Sequence, residues 1–259
     1  MLGEYDPERG GYRFGPFLFV PGIKAKDDEW KHRRGEPRVF ALLWTGFVLF
    51  AAAATLFVVN GAGYTRHEIQ EVAVRSLLLV ILAGIVLVYP AIRLSQAPDP
   101  HPVRAGLLDA VVVLMPLVPL LLLCPMLASW PGDVAFVLWI TILGWVMLIT
   151  GLVTLAIVAG TIVDRVWAML ACIALGIGTL AIVVALHGKP IDQAALSTMS
   201  PFTVIWSVTD SPGNLMPRAE SGHLIAMWWP GVLGSALMAA SGMANQKQRP
   251  AVDEARSRP

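Results

Sequence analysis

The side chains in this sequence best suited to hold a soft metal are a few histidines and methionines. His67, His187 and His223, with Met126, Met199 and Met216, fall in segments that could face one side of a membrane, and a copper or haem site can be drawn from them. No two of the histidines share a His-x-x-x-His spacing, so ordinary interfacial histidines are expected and no metal or cofactor is. Cys124 and Cys172 each lie inside an apolar run and read as small hydrophobes, not as a disulfide or a metal pair. A phosphate-binding loop, a Gly-x-Ser-x-Gly elbow and a Cys-x-x-Cys pair are all missing from the sequence, so no catalytic residue is expected. Any ATP that drives the protein must be bound by another chain. Arg75, Arg93, Asp109, Asp164, Arg165 and His223 are ionisable and lie near the ends of apolar runs. Charges at mid-membrane mark ion and proton paths. Their scarcity there argues against a proton pump and an ion-coupled transporter. It also argues against an intramembrane protease, which needs a buried acid pair, a Ser–His pair or a metal.

The elements that must carry these residues are membrane helices. The chain is 56% hydrophobic and 14% charged, with a mean hydropathy of +0.66. Soluble domains sit at about 45–50% apolar and about 25% charged. A net charge of +1 gives no bulk field for nucleic acid. The polar opening, Met1 to Gly15, holds no apolar run of signal-peptide length. Six stretches approach the roughly 20 apolar residues needed to cross about 30 Å of hydrocarbon. They run from about Val39 to Val59, Val72 to Ile92, Ala105 to Ala128, Val134 to Val158, Val166 to Leu186 and Gly222 to Met243. The runs do not alternate, so an all-α polytopic bundle of about six transmembrane helices is expected. All but four of the nineteen Lys and Arg (Arg66, Arg75, Lys189 and Arg218) fall on one side if both termini are cytoplasmic, which sets the orientation as N-in and C-in. Usage rich in Ala, Gly, Pro and Arg points to a GC-rich bacterium and hence to its inner membrane.

The expected organisation is a cytoplasmic leader over 1–38, a six-helix domain over 39–243 and a disordered cytoplasmic tail over 244–259. The leader holds a short apolar patch, Pro16 to Pro21, that could dip into the interface. An outer loop over 187–221 is long enough to have a task or a structure of its own. Within it, Ser200-Pro201 reads as a helix start, and Phe202, Ile205, Trp206 and Thr209 share one face of a short amphipathic helix. This helix either lies at the outer interface or re-enters the bundle, and its bland role is to plug the outer end. Gly231, Ser235 and Ala239 form a small-residue stripe for close helix packing, within the chain or at a homodimer seam. Pro116, Pro119 and Pro125 should kink the third helix and free carbonyls for neighbours or water.

Six helices, no nucleotide site and an outer segment before the last helix resemble the permease subunit of ATP-binding-cassette exporters of the six-helix type. The run Leu196-Ser197-Thr198-Met199-Ser200-Pro201-Phe202-Thr203 resembles a Ser/Asn-Pro-Phe/Leu segment common at that place in such permeases. The resemblance implies a permease half driven by a separate cytoplasmic ATPase chain. In that family the inner loop between the second and third helices is usually helical, whereas here it carries Pro98, Pro100 and Pro102. The alternative reading is a non-transporting anchor or scaffold subunit of a larger complex. Membrane lipid is the one partner common to both.

Overall fold

The computed structural model describes residues 4–6, 11–14, 18–21, 37–57, 67–96, 101–178, 181, 182, 185, 200–210, 217, 219, 223 and 227–257. Within the leader, three short strands form an antiparallel sheet in the order β1-β2-β3: β1 (Glu4–Asp6), β2 (Gly11–Phe14) and β3 (Leu18–Pro21). Tyr5 pairs with Tyr12, and Phe14 with Leu18. This small sheet stands beside an otherwise all-helical body, and β3 covers the described part, 18–21, of the apolar patch Pro16 to Pro21. Tyr5, Tyr12, Phe14, Phe19 and Val20, set off by the breakers Pro7, Gly10, Gly15 and Pro16, favour such short hairpins.

The other described elements are helices. They are α1 (Pro37–Ala52), α2 (His67–Ala83), α3 (Tyr89–Ser95), α4 (Pro102–Leu114), α5 (Leu117–Leu127), α6 (Gly132–Ala159), α7 (Ile162–Ile173), α8 (Pro201–Thr209) and α9 (Trp228–Ser257). Five-residue π turns extend α1 to Phe57 and α7 to Gly178, and another joins α2 to α3. Among the described residues, four stretches are long and apolar enough to cross a membrane: Val39–Leu56, Ile69–Ser95, Pro102–Leu127 and Gly132–Ala159. They match the first four runs expected. The second and fourth are central, each 61% buried, and the first and third are peripheral at 22% and 33%. Leu42, Phe50, Leu122 and Met126 are exposed on the peripheral pair, consistent with lipid contact.

The third crossing is broken in two. Pro116 has no N–H for the carbonyl of Val112, and helix gives way to a turn at 115–116. The adjacent Val113 carbonyl accepts a hydrogen bond from Trp44 Nε1 at 2.9 Å, and Trp44 is 1% exposed. Pro119 and Pro125 lie inside α5 without ending it. After α6, Gly160 takes a left-handed φ of +81°, which favours glycine, and turns the chain. Thr161 then caps α7 by accepting from the Asp164 backbone N–H at 3.1 Å.

Among the described residues, α6 and α9 cross with their backbones in contact. A Cβ on Gly234 would lie 2.5 Å from Leu148 N and 2.6 Å from Met147 O, and closer still to Met147 C, so only glycine lets these backbones meet. Contacts ascend together along the pair. Gly144 lies beside Met227 and Gly231, and Gly151 beside Gly234 and Leu237, so α6 and α9 run in the same direction. α7 runs opposite to α2 and α3: Arg165 reaches Leu94 and Gln96, while Gly176 lies against Val86. From 245, where composition predicts a disordered tail, α9 continues to Ser257. Gln, Lys, Arg, Ala and Glu there are good helix formers.

Candidate functional site

Two buried charged centres sit at opposite ends of the bundle. At the first, Arg93 near the end of α3 meets Asp109 of α4, with Nε 2.5 Å from Oδ2. Their side chains are 12% and 7% exposed, so this is a desolvated ion pair between the second and third crossings. Arg93 Nη1 also donates to Gln96 Oε1 at 2.5 Å. Arg165 Nη1 then donates to the carbonyls of Leu94 and Gln96 at 3.1 and 3.0 Å, tying the start of α7 to the same corner. One turn deeper, Tyr89 donates from its hydroxyl to Thr150 Oγ1 at 3.2 Å and stacks at a tilt on Phe40, with ring centroids 5.7 Å apart. The cavity beside the ion pair, lined by Arg93, Gly106, Asp109, Val153 and Thr154 among others, measures about 10 Å³. That is the lower limit for a single water. Among the described residues, the corner fastens α3, α4 and α7 together.

At the other end Arg75 of α2, 9% exposed, fastens α8. Its Nε donates to Thr209 Oγ1 at 2.8 Å, and its Nη2 donates to the Thr209 carbonyl and to Glu71 Oε1, the latter at 3.0 Å. The guanidinium lies 4.9 Å from the centroid of the Trp206 ring, and Asp210 Oδ1 is 3.9 Å from Nη2. A cation at the last carbonyls of a helix matches the negative end of its dipole. The start of α8 is held by Ser200, whose Oγ donates to the Gly176 carbonyl at 3.4 Å. At the same end, Asp133 Oδ2 accepts from the Ala219 backbone N–H at 3.1 Å, and Ser207 Oγ lies 3.0 Å from His223 Nε2.

The expected faces shift in register. On α8 the buried residues are Pro201, Val204, Ile205, Val208 and Thr209, while Phe202 is half-buried and Trp206 is 53% exposed. The buried stripe on α8 thus lies one residue N-terminal to the expected one, and the exposed Trp206 ring sits beside the Arg75 guanidinium. On α9, Gly231 lies against Gly144, but Ser235 and Ala239 are exposed. The buried line follows Gly234, Met238 and Ser241 instead. Steps of four residues drift off a 3.6-residue helix, whereas alternating steps of three and four stay on it.

The histidine–methionine set is not assembled by what is described: His187, Met199 and Met216 lie outside the described residues, Met126 is 76% exposed and His223 is buried. Among the described residues no group of three or more His, Cys, Asp or Glu could hold a metal. Cys124 and Cys172 are free and buried. The ion pairing of Arg93 with Asp109, the Arg75 anchor and the Ser207–His223 contact escaped sequence reasoning. Apart from the Glu71–Arg75 pair, which has helical i,i+4 spacing, they join residues 16 to 134 positions apart, and no short-range spacing signals them. No known protein family, curated protein or solved structure matches the chain.

Proposed function

We propose that this chain is a six-crossing subunit of a bacterial inner membrane, with both ends cytoplasmic, whose task is to anchor or scaffold a larger assembly. The six-crossing reading draws support from the shared direction of α6 and α9. A chain that leaves the end of α6 and starts a parallel helix must cross back between them, and α7, opposite in direction to α3, begins that return. The basic residues then gather on the side of the two termini.

The observation that carries the scaffold reading is the fastening of both ends by buried charge. Alternating access requires one end to part while the other closes. Parting the Arg93 end inside the bilayer would strand two charges, and removing one partner of a buried pair costs about 3–5 kcal/mol. That leaves on the order of one molecule in a thousand parted. Spin labels test this. One pair at exposed Arg104 and Val163 spans the Arg93 end, and another at exposed Val72 and Phe136 spans the Arg75 end. A single narrow distance at each end in bilayers is expected. Two distances exchanging in opposite senses would point to a transporter.

The second reading, a permease half with a separate ATPase chain, draws on the broken third crossing at 115–116 and the short helix α8 set before the last crossing. Under it, a second copy would seat on exposed faces that include Ser235 and Ala239.

A further inference from the structure

We propose that Ser207 and His223 form a nucleophile–base pair that transfers the acyl group of an apolar ester at the Arg75 end of the bundle. This inference stands independently of the scaffold reading. The scarcity of ionisable groups at mid-membrane argued against an intramembrane Ser–His pair, and no sequence motif links Ser207 to His223, 16 positions away. The structure brings Ser207 Oγ to 3.0 Å from His223 Nε2, inside the range of an activated serine.

The two partners differ in ways that suit the roles. His223 is 7% exposed, and its backbone carbonyl accepts from the N–H of Met227, the residue before α9, at 3.1 Å. Ser207 is half-buried on α8, a helix secured at both ends by Ser200 and Arg75, so the nucleophile is reachable yet fixed. Its hydroxyl has two acceptors, the Val204 carbonyl at 3.1 Å and the imidazole. Rotation of one O–H bond moves its proton from the resting partner to the base. The adjacent Trp206 ring, 53% exposed, offers an apolar surface for an acyl chain.

The reaction balances with water as co-reactant. Ser207 Oγ forms a bond to the ester carbonyl carbon, its proton passes to His223 Nε2, and the C=O electron pair moves onto oxygen. Collapse of that adduct breaks the bond to the alcohol, which leaves with the proton from Nε2. Water, deprotonated by the same nitrogen, then attacks the acyl-serine, releases the acid and restores the Ser207 hydroxyl.

The test uses the full-length protein in detergent with an alkyl fluorophosphonate, which phosphonylates an activated serine with loss of fluoride. Adduct formation is followed by mass on the peptide that contains Ser207. An adduct is expected on the native protein and none on Ser207→Ala. His223→Gln keeps a hydrogen-bonding side chain but supplies no base, so adduct formation is expected to slow at least about 100-fold while elution and melting stay native. An unmodified Ser207 in the folded protein would overturn the proposal. So would equal rates in the native and His223→Gln proteins, which would leave the contact as a staple holding 223 to α8.

Discussion

Replacing Gly234 by alanine should open the central helix pair. The added Cβ would lie 2.5 and 2.6 Å from Leu148 N and Met147 O, where carbon contacts are most favourable at about 3.5–4.0 Å. Those atoms are backbone and cannot rotate aside, so α9 must withdraw from α6 by roughly 1 Å. A gap of that size forfeits a quarter to a half of each dispersion contact, about 0.1–0.2 kcal/mol per atom pair. Spread over on the order of fifty pairs, the loss is about 2–4 kcal/mol, at the upper end of measured overpacking costs. The assay is reversible unfolding in mixed micelles against Gly242→Ala, whose new Cβ would meet only Val103 Cγ2 at 3.9 Å, an ordinary contact. If the two variants unfold within about 0.5 kcal/mol of each other, the inferred backbone crossing of α6 and α9 is wrong.

Removing one charge of the Arg93–Asp109 pair, as in Asp109→Asn, should destabilise by about 3–5 kcal/mol, while Arg93→Met with Asp109→Leu should recover most of that loss. A double-mutant cycle in the same unfolding assay reads both. Arg75→Leu removes charge-assisted bonds worth about 1.5–3 kcal/mol each from the end of α8. Amide exchange over 201–209 should rise by at least about tenfold with exchange in α6 unchanged, and uniform exchange across both would contradict the anchor. Trp44→Phe deletes the donor to the Val113 carbonyl at the break in the third crossing. A loss of about 1–3 kcal/mol is expected from the buried carbonyl left unpaired, and a neutral result would mean that water replaces the indole there.

Much of the helical body can be read directly from hydropathy, because a bilayer demands long, continuous apolar helices. The first four runs coincide with the four candidate crossings to within a few residues. The start of α8 follows from Ser200-Pro201 and the turn after α6 from Gly160, both being local backbone chemistry. The last helix is harder to read, since Gly, Ser and Ala dilute its hydropathy while they permit its tightest packing. The buried faces of α8 and α9 differ from the stripes read in the sequence because spacing fixes a periodic stripe but not which stripe a neighbour within the chain covers. The strands of the leader are short enough that Tyr12 and Phe14 alternate for barely one cycle. The polar contacts are opaque for a different reason. Arg75 meets Thr209 across 134 residues, and only the packed fold makes them neighbours.

Partner identity is the most direct test of the scaffold reading. The tagged protein, drawn from its own membranes in gentle detergent, should bring down a stable, stoichiometric set of membrane or peripheral chains without a nucleotide-binding subunit. An ATPase chain recovered at equal stoichiometry would contradict that reading and put the permease in its place.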